Sequence, residues 1–217
     1  MKSMMKRNTF REIKKSFGRY FAILAIIALG VAFFSGLKIT QSVMVHSADV
    51  YLKDYRLVST LGFTEENVEA LAEKEDVRAA EGAISAEVLY KDAGENERVI
   101  KMHSITEKVN KLKLVAGEMP QSADECVVDS VLFSEDAIGS KLVLSENNTT
   151  DDLDKFAYKE YTITGLVQSP CYIQFERGNT SIGNGRISGF AYILKDGFAV
   201  DYDTEIYIKF DEDYDIY

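Results

Sequence analysis

Two histidines, two cysteines, one glycine-rich stretch and one acidic run are the places where this chain could do chemistry. His46 and His103 have no neighbour at metal-ligand spacing, so structural roles are expected for both. The stretch Arg177–Arg186 (RGNTSIGNGR) is glycine-rich like a phosphate loop, but a Walker A loop must finish in Gly-Lys-Ser/Thr. Here Gly185 is followed by Arg186 and Ile187, and a long β-hairpin or binding loop is the expectation. The run Asp211-Glu212-Asp213-Tyr214-Asp215 lacks the turn glycine and distal glutamate of an EF-hand loop, and reads as a solvated acidic face. Asn147, Asn148 and Asn179 each match N-x-S/T, which matters only in a glycosylating secretory pathway. Cys126 and Cys171 sit in apolar contexts (CVV and CYI) where a thiol behaves as a small core hydrophobe. A disulfide between them is allowed in an oxidising compartment and stays open at this level. No nucleophile–base pair stands out, so no catalytic, cofactor-binding or metal-ligating residue is nominated.

What, then, positions these residues? The chain has 217 residues, 46% hydrophobic and 28% charged with two prolines, which is globular composition. Its net charge of −10 is unevenly spread. Residues 1–38 hold Lys2, Lys6, Arg7, Arg11, Lys14, Lys15, Arg19 and Lys38 against Glu12 alone, a net of +7 that leaves −17 for the rest. Between Arg19 and Lys38 runs an uncharged stretch, Tyr20 to Leu37, about 27 Å long as a helix and close to the roughly 30 Å apolar core of a bilayer. It is apolar all round, unlike an amphipathic core helix. A secretory signal has a shorter apolar region and a clear small-x-small cleavage site; here Thr40-Gln41-Ser42 is a weak match, and an uncleaved anchor is favoured. The cations Lys6, Arg7, Arg11, Lys14, Lys15 and Arg19 precede the span, so the N-terminus is expected in the cytoplasm and residues from about 41 outside it. The basic end thus reads as a membrane flank, and no nucleic-acid partner is expected.

Phe10, Ile13 and Phe17 recur at helical spacing among those cations, giving a basic amphipathic helix over 1–19 suited to an anionic leaflet. The span is assigned to 20–40 and a helical stalk to 41–54. Beyond it the patterning predicts an α+β unit over 55–110: a strand at Tyr55–Thr60, a helix capped by Thr64 with apolar Val68, Leu71 and Ala72, and strands at Ala83–Tyr90 and Arg98–Ser104. A β-rich part over 111–217 follows, with strands at Glu125–Asp129, Gly139–Leu144, Tyr158–Val167, 188–194 and 204–210, and a short helix from Ser130. The polar tract Ser145–Asp154 is expected to be a loop.

Several stretches together carry a family resemblance. Thr9–Gly36 (TFREIKKSFGRYFAILAIIALGVAFFSG), Ser59–Phe63 (STLGF), Ala123–Asp129 (ADECVVD), Ile138–Leu144 (IGSKLVL) and Gly165–Gly189 (GLVQSPCYIQFERGNTSIGNGRISG) resemble FtsX-like, MacB-type ABC transporter permeases. The resemblance implies an extracytoplasmic domain built from a ferredoxin-like lobe and a β-rich lobe. It also implies a non-catalytic subunit whose energy comes from a separate cytoplasmic ABC ATPase, with membrane lipid and further permease spans or a second permease subunit as partners. Family permeases have at least four spans, so this chain is expected to be an N-terminal part of such a protein. The alternative from another class is a single-pass, membrane-anchored extracellular binding or adhesion domain; an anchored extracellular enzyme ranks third for want of a catalytic constellation.

Overall fold

The computed structural model describes residues 17–52 and 54–210. The basic surface helix, with Phe10, Ile13, Lys6, Arg7, Arg11, Lys14 and Lys15, and the acidic run Asp211–Asp215 lie outside the described residues. Two compact units result, 1–52 and 53–217. The first holds one helix, α1 (Phe17–Leu52), without proline and without an acidic first turn.

The second unit is built on two sheets. The smaller is antiparallel in the order β1 (Asp54–Phe63), β10 (Asp203–Phe210), β2 (Val77–Ala83). The helix α2 (Glu65–Ala72) covers it: Val68 and Leu71 pack with Phe63 and Val77 against Ala80, Ile206 and Ile208. The helix starts where the sequence suggests, with the Asn67 side chain accepting hydrogen bonds from the Thr64 amide (2.9 Å) and hydroxyl (3.0 Å).

The larger sheet runs β5 (Lys113–Gly117), β8 (Glu160–Gln168), β6 (Glu125–Asp129), β9 (Ile187–Ile193), β4 (Glu97–Ser104), β3 (Ser85–Lys91), β7 (Lys141–Leu144). Strand β7 pairs with β3 at Tyr90 and Lys91 and also with β8 at Glu160–Thr162, so six of the strands close into a barrel. β5 takes the rest of that β8 edge, at Gly165–Gln168. Alternate residues of all six strands fill the interior: Val88, Ile100, Cys126, Leu142, Tyr161 and Ile193, all at or below 2% exposure, typify it. An irregularity in the β6–β8 ladder between Ile163 and Gly165 switches the inward face of β8 from Tyr161 and Ile163 to Leu166. Gly165 is needed there, since a Cβ would lie 2.7 Å from the Glu118 carbonyl oxygen. The outside of the barrel carries a second cluster, Val127, Val167, Phe190 and Tyr192, covered by Ile105, Leu112, Met119 and Tyr172.

The chain is therefore α+β, an apolar N-terminal helix followed by a mixed, sheet-rich domain. Three local expectations are corrected. Residues 83–90 are not one strand: β2 ends at Ala83 and β3 starts at Ser85, on different sheets, with the corner at Ile84 held by Ser104, whose Oγ accepts from the Ile84 amide at 2.9 Å. No helix starts at Ser130. Asp129 captures the next amides, its side chain accepting from Val131 (3.0 Å) and its carbonyl from Leu132 and Phe133, and the chain turns before a 3-10 turn at Glu135–Ala137. The polar tract after β7 contains a short helix, α3 (Thr150–Leu153), capped by Thr149. The expected division at residue 110 also does not coincide with the sheet boundary, because β3 and β4 belong to the barrel and β10 returns to the small sheet.

Candidate membrane span and interaction loop

In the first unit, Phe17–Gly36 is a 20-residue segment long and apolar enough to cross a bilayer, and none of it is buried. Its apolar side chains point in every direction, with Ile26 72%, Phe33 67% and Phe34 74% exposed. The face-to-face distribution matters more than the length, because a soluble core helix hides one side. Phe17 stacks on Phe21 at 6.0 Å, and Arg19 lies within the same first turns.

In the second unit, the feature that stands out is the connection from β8 to β9, residues 169–186. It contains the glycine-rich stretch. Arg177 anchors it. The Arg177 guanidinium donates from Nε to Asp129 Oδ2 (2.8 Å) and from Nη2 to Asp129 Oδ1 (3.0 Å), with the side chains 7% and 2% exposed. It also donates to the Tyr172 carbonyl at 3.1 Å and lies over the rings of Tyr172 (5.7 Å) and Phe190 (5.3 Å). Tyr172 in turn stacks on Phe190 at 4.4 Å. Between these two fixed points the chain pushes Ile173 (67% exposed) and Phe175 (89% exposed) into solvent. Two apolar side chains thus stand in solvent on a base fixed by Arg177.

The remainder, Gly178 to Arg186, folds on itself. Asn179 and Arg186 form a bridge, the Thr180 amide donates to the Gly185 carbonyl (3.2 Å) and the Ile187 amide to Gly178 (3.0 Å). Amides so engaged cannot cradle a phosphate, in keeping with the missing lysine. Gly183 (φ 56°) presses onto the barrel, where a Cβ would meet Val99 at 2.8 Å.

The other candidate residues are placed as follows. His103 is buried in β4, its Nε2 2.6 Å from the Tyr172 hydroxyl and its ring stacked on Tyr192 at 5.0 Å. Cys126 lies inside the barrel and Cys171 on the exposed connection after β8; both are free thiols, so the disulfide left open by the sequence is not formed. Their placement explains this: β6 points Cys126 into the barrel interior, while Cys171 lies on the exposed connection beside Tyr172 of the outer cover. Burial pushes the Cys126 thiol far up, with Glu125 adding to the effect, so it is a packing residue and not a nucleophile. Asn148 donates to and accepts from the Leu89 backbone, and the side chain of Asn147 donates to Glu97. Among the described residues no His, Cys, Asp and Glu cluster could hold a metal ion. An open groove of about 810 Å³ beside β3 and β7 mixes Leu132, Phe133 and Ala137 with Asp92, Arg98 and Lys141 and presents no nucleophile with a base. The pairing of Arg177 with Asp129 spans 48 residues and leaves no local mark in the sequence.

No family model matches this chain, and neither does any curated protein. Two solved structures similar to it are the periplasmic region of MacB from Actinobacillus actinomycetemcomitans and the extracellular domain of the noncanonic ABC-type transporter YknZ from Gram-positive bacteria. The first aligns with a TM-score of 0.45 at 13% identity over 74% of this chain and 69% of its own. The second aligns with a TM-score of 0.45 at 12% identity over 74% and 83%.

Proposed function

We propose that the chain is the N-terminal part of a permease subunit in an ABC export or mechanotransmission complex. The observation that carries this is the unburied, all-round apolar helix at Phe17–Gly36 ahead of a folded, sheet-rich domain, read together with the permease-like motifs. In this reading Phe10, Ile13 and Phe17 press a basic surface helix into the inner leaflet, and Lys6, Arg7, Arg11, Lys14, Lys15 and Arg19 keep it cytoplasmic. The helix then passes motion to the outer domain, ATP hydrolysis takes place on a separate cytoplasmic subunit, and this chain is non-catalytic. Further permease spans, or a second permease subunit, complete the membrane part. Two experiments test the reading. Purification of the parent protein from native membranes should bring an ABC ATPase with it. A phosphatase reporter fused after Lys53 should be active outside the cytoplasm; activity only in the cytosol overturns the topology.

A second reading, a single-pass anchored binding domain, is favoured by one observation, the solvent-exposed Ile173 and Phe175 on their clamped base. Phe175→Ser separates the two. It should leave stability within about 0.5 kcal/mol, as surface changes do. An adhesion domain would then lose partner capture outright, whereas a permease would still recover its ATPase.

A further inference from the structure

The small sheet and the barrel share no ladder, and the chain crosses between them at two short places. One is the corner at Ile84, between β2 and β3. The other precedes β10: Phe198 is buried in the barrel core and Val200 packs on it, so only Asp201 and Tyr202 are left to reach Asp203. Polar contacts beside these crossings form a pivot. The Ile84 amide donates to Ser104 Oγ at 2.9 Å and the Ser104 amide to the Ile84 carbonyl at 2.8 Å. The Ser85 amide donates to Thr204 Oγ1 at 2.7 Å. The Glu205 carboxylate, 1% exposed, accepts from Ser85 Oγ (2.6 Å) and Lys101 Nζ (3.3 Å).

Farther out along its strands, the small sheet meets residues 105–110, the segment that leaves β4. Val109, 1% exposed, packs on Ala79, Ala83 and Tyr207, on the face of the sheet turned away from α2. Beside it the Glu81 carboxylate accepts three consecutive amides, Glu107 on Oε1 (2.8 Å) and Lys108 (2.8 Å) and Val109 (3.3 Å) on Oε2. Local bonds shape the segment for this. The Ile105 amide donates to the Ile193 carbonyl at 2.9 Å, and the Thr106 hydroxyl closes a turn on the Val109 carbonyl at 2.7 Å. Asn110, at φ 50°, takes a left-handed conformation that asparagine tolerates. Successive amides pointing one way make a socket for an anion. Glu107 and Lys108 are exposed, so this socket opens to solvent.

We infer that residues 105–110 are a latch between the small sheet and the barrel, with Glu81 as its tongue and the three amides as its socket. While the carboxylate is seated the sheet is held; when it leaves, the sheet turns about the Ile84 corner. The lever arms decide this. Both crossings and the Glu205 junction lie at one end of β2 and β10, where a contact has little leverage against rotation. Glu81 stands three residues along β2 from that corner, about 10 Å at 3.3 Å per residue, and acts with the longer arm. The latch is also able to open. Water reaches the exposed amides and the half-buried carboxylate, so hydration replaces much of what unseating them loses. The inference concerns the outer domain alone and needs neither the span nor an ATPase partner.

The test separates a latch from a contact that merely stabilises. Spin labels go on the full chain in detergent micelles at Glu69→Cys on α2 and Glu135→Cys on the turn after β6, both exposed positions. Cys171→Ser removes the exposed thiol, and Cys126 is buried. With Glu81 present the distance between the labels should be narrowly distributed. Glu81→Ala should broaden that distribution and speed hydrogen exchange of the amides at 107–109 by about tenfold, the scale of one hydrogen bond to a charged acceptor. Acetate, a carboxylate that fits the vacated socket, should then slow the exchange and narrow the distribution again, whereas chloride at the same ionic strength should do neither. Glu81→Gln keeps one accepting oxygen and covers the case in which Glu81→Ala does not fold; it should give the same two changes in smaller measure. The inference is overturned if neither variant changes the distance distribution, if the amides at 107–109 keep their native rate, or if acetate has no more effect on Glu81→Ala than chloride.

Discussion

Changing Asp129 to asparagine replaces one carboxylate oxygen with an amide and should cost the outer domain about 3–5 kcal/mol. Both oxygens of Asp129 are committed to Arg177, at 2.8 and 3.0 Å, in a site where the two side chains are 2% and 7% exposed. Unit charges at that separation attract by about 6 kcal/mol at an effective dielectric of about 20. Desolvation of both groups offsets much of this, so the intact pair contributes little net stability. Breaking it is another matter. Asparagine still accepts from the Val131 amide, but the guanidinium stays packed over Tyr172 and Phe190 with only carbonyl oxygens for company. Urea unfolding of the full chain in detergent can be followed by tyrosine fluorescence, since there are twelve tyrosines and no tryptophan. The midpoint should fall while the slope stays constant. The pair Asp129→Leu with Arg177→Met removes both charges and should be more stable than Asp129→Asn alone. A loss below about 1 kcal/mol for Asp129→Asn is what an exposed, screened pair gives, and it would refute the clamp.

Other expectations follow from the same framework. Burial alone would raise the Glu205 carboxyl, but His103, Lys101 and the hydroxyls of Ser85 and Tyr207 outweigh it and bring it from 4.5 down to about 2. Its contribution, about 3 kcal/mol, is then complete above about pH 4.5 and is lost as pH falls through about 2. In Glu205→Gln the stability profile between those values should flatten; an unchanged slope contradicts the assignment. In the folded chain a maleimide at pH 8 should spare the buried Cys126, whereas in urea both Cys126 and Cys171 should be labelled. Labelling of Cys126 in the folded state would show a different environment for β6. Gly82→Ala drives a Cβ into the buried Asp203 carboxylate beside Val68 and should cost about 1–3 kcal/mol in a thermal melt. Native-like melting there would mean that the small sheet is packed more openly.

The readable parts of this chain were those where a pattern is local. The apolar span, the Thr64 helix and the strand at Glu125–Asp129 each carry their signal within one window, and the helix and strand form where that signal lies. β2 was missed because Val77–Ala83 (VRAAEGA) has neither alternation nor β-branched bulk beyond Val77; it is a strand because β10 supplies its ladder from more than a hundred residues away. Barrel closure was likewise invisible, since it depends on β7 touching both β3 and β8. The anchored loop was legible only in part. Its glycines and its failure as a phosphate loop are in the sequence, whereas the Arg177–Asp129 clamp and the Glu205 junction join residues that only the tertiary fold brings together.

The position of β10 has one last consequence. Asp54 pairs with Lys209, so the middle strand of the three-stranded sheet is made after everything else in the described domain. During synthesis β1 and β2 must wait, their edges unsatisfied, until the barrel strands that follow β2 in sequence have been made and the final strand slides into the gap. Loop-closure entropy on that scale makes the step slow, and two waiting edges invite mispairing with another chain. Chains released before residue 203 should therefore hold a formed barrel beside an unfinished sheet, and would be natural substrates for a quality-control protease.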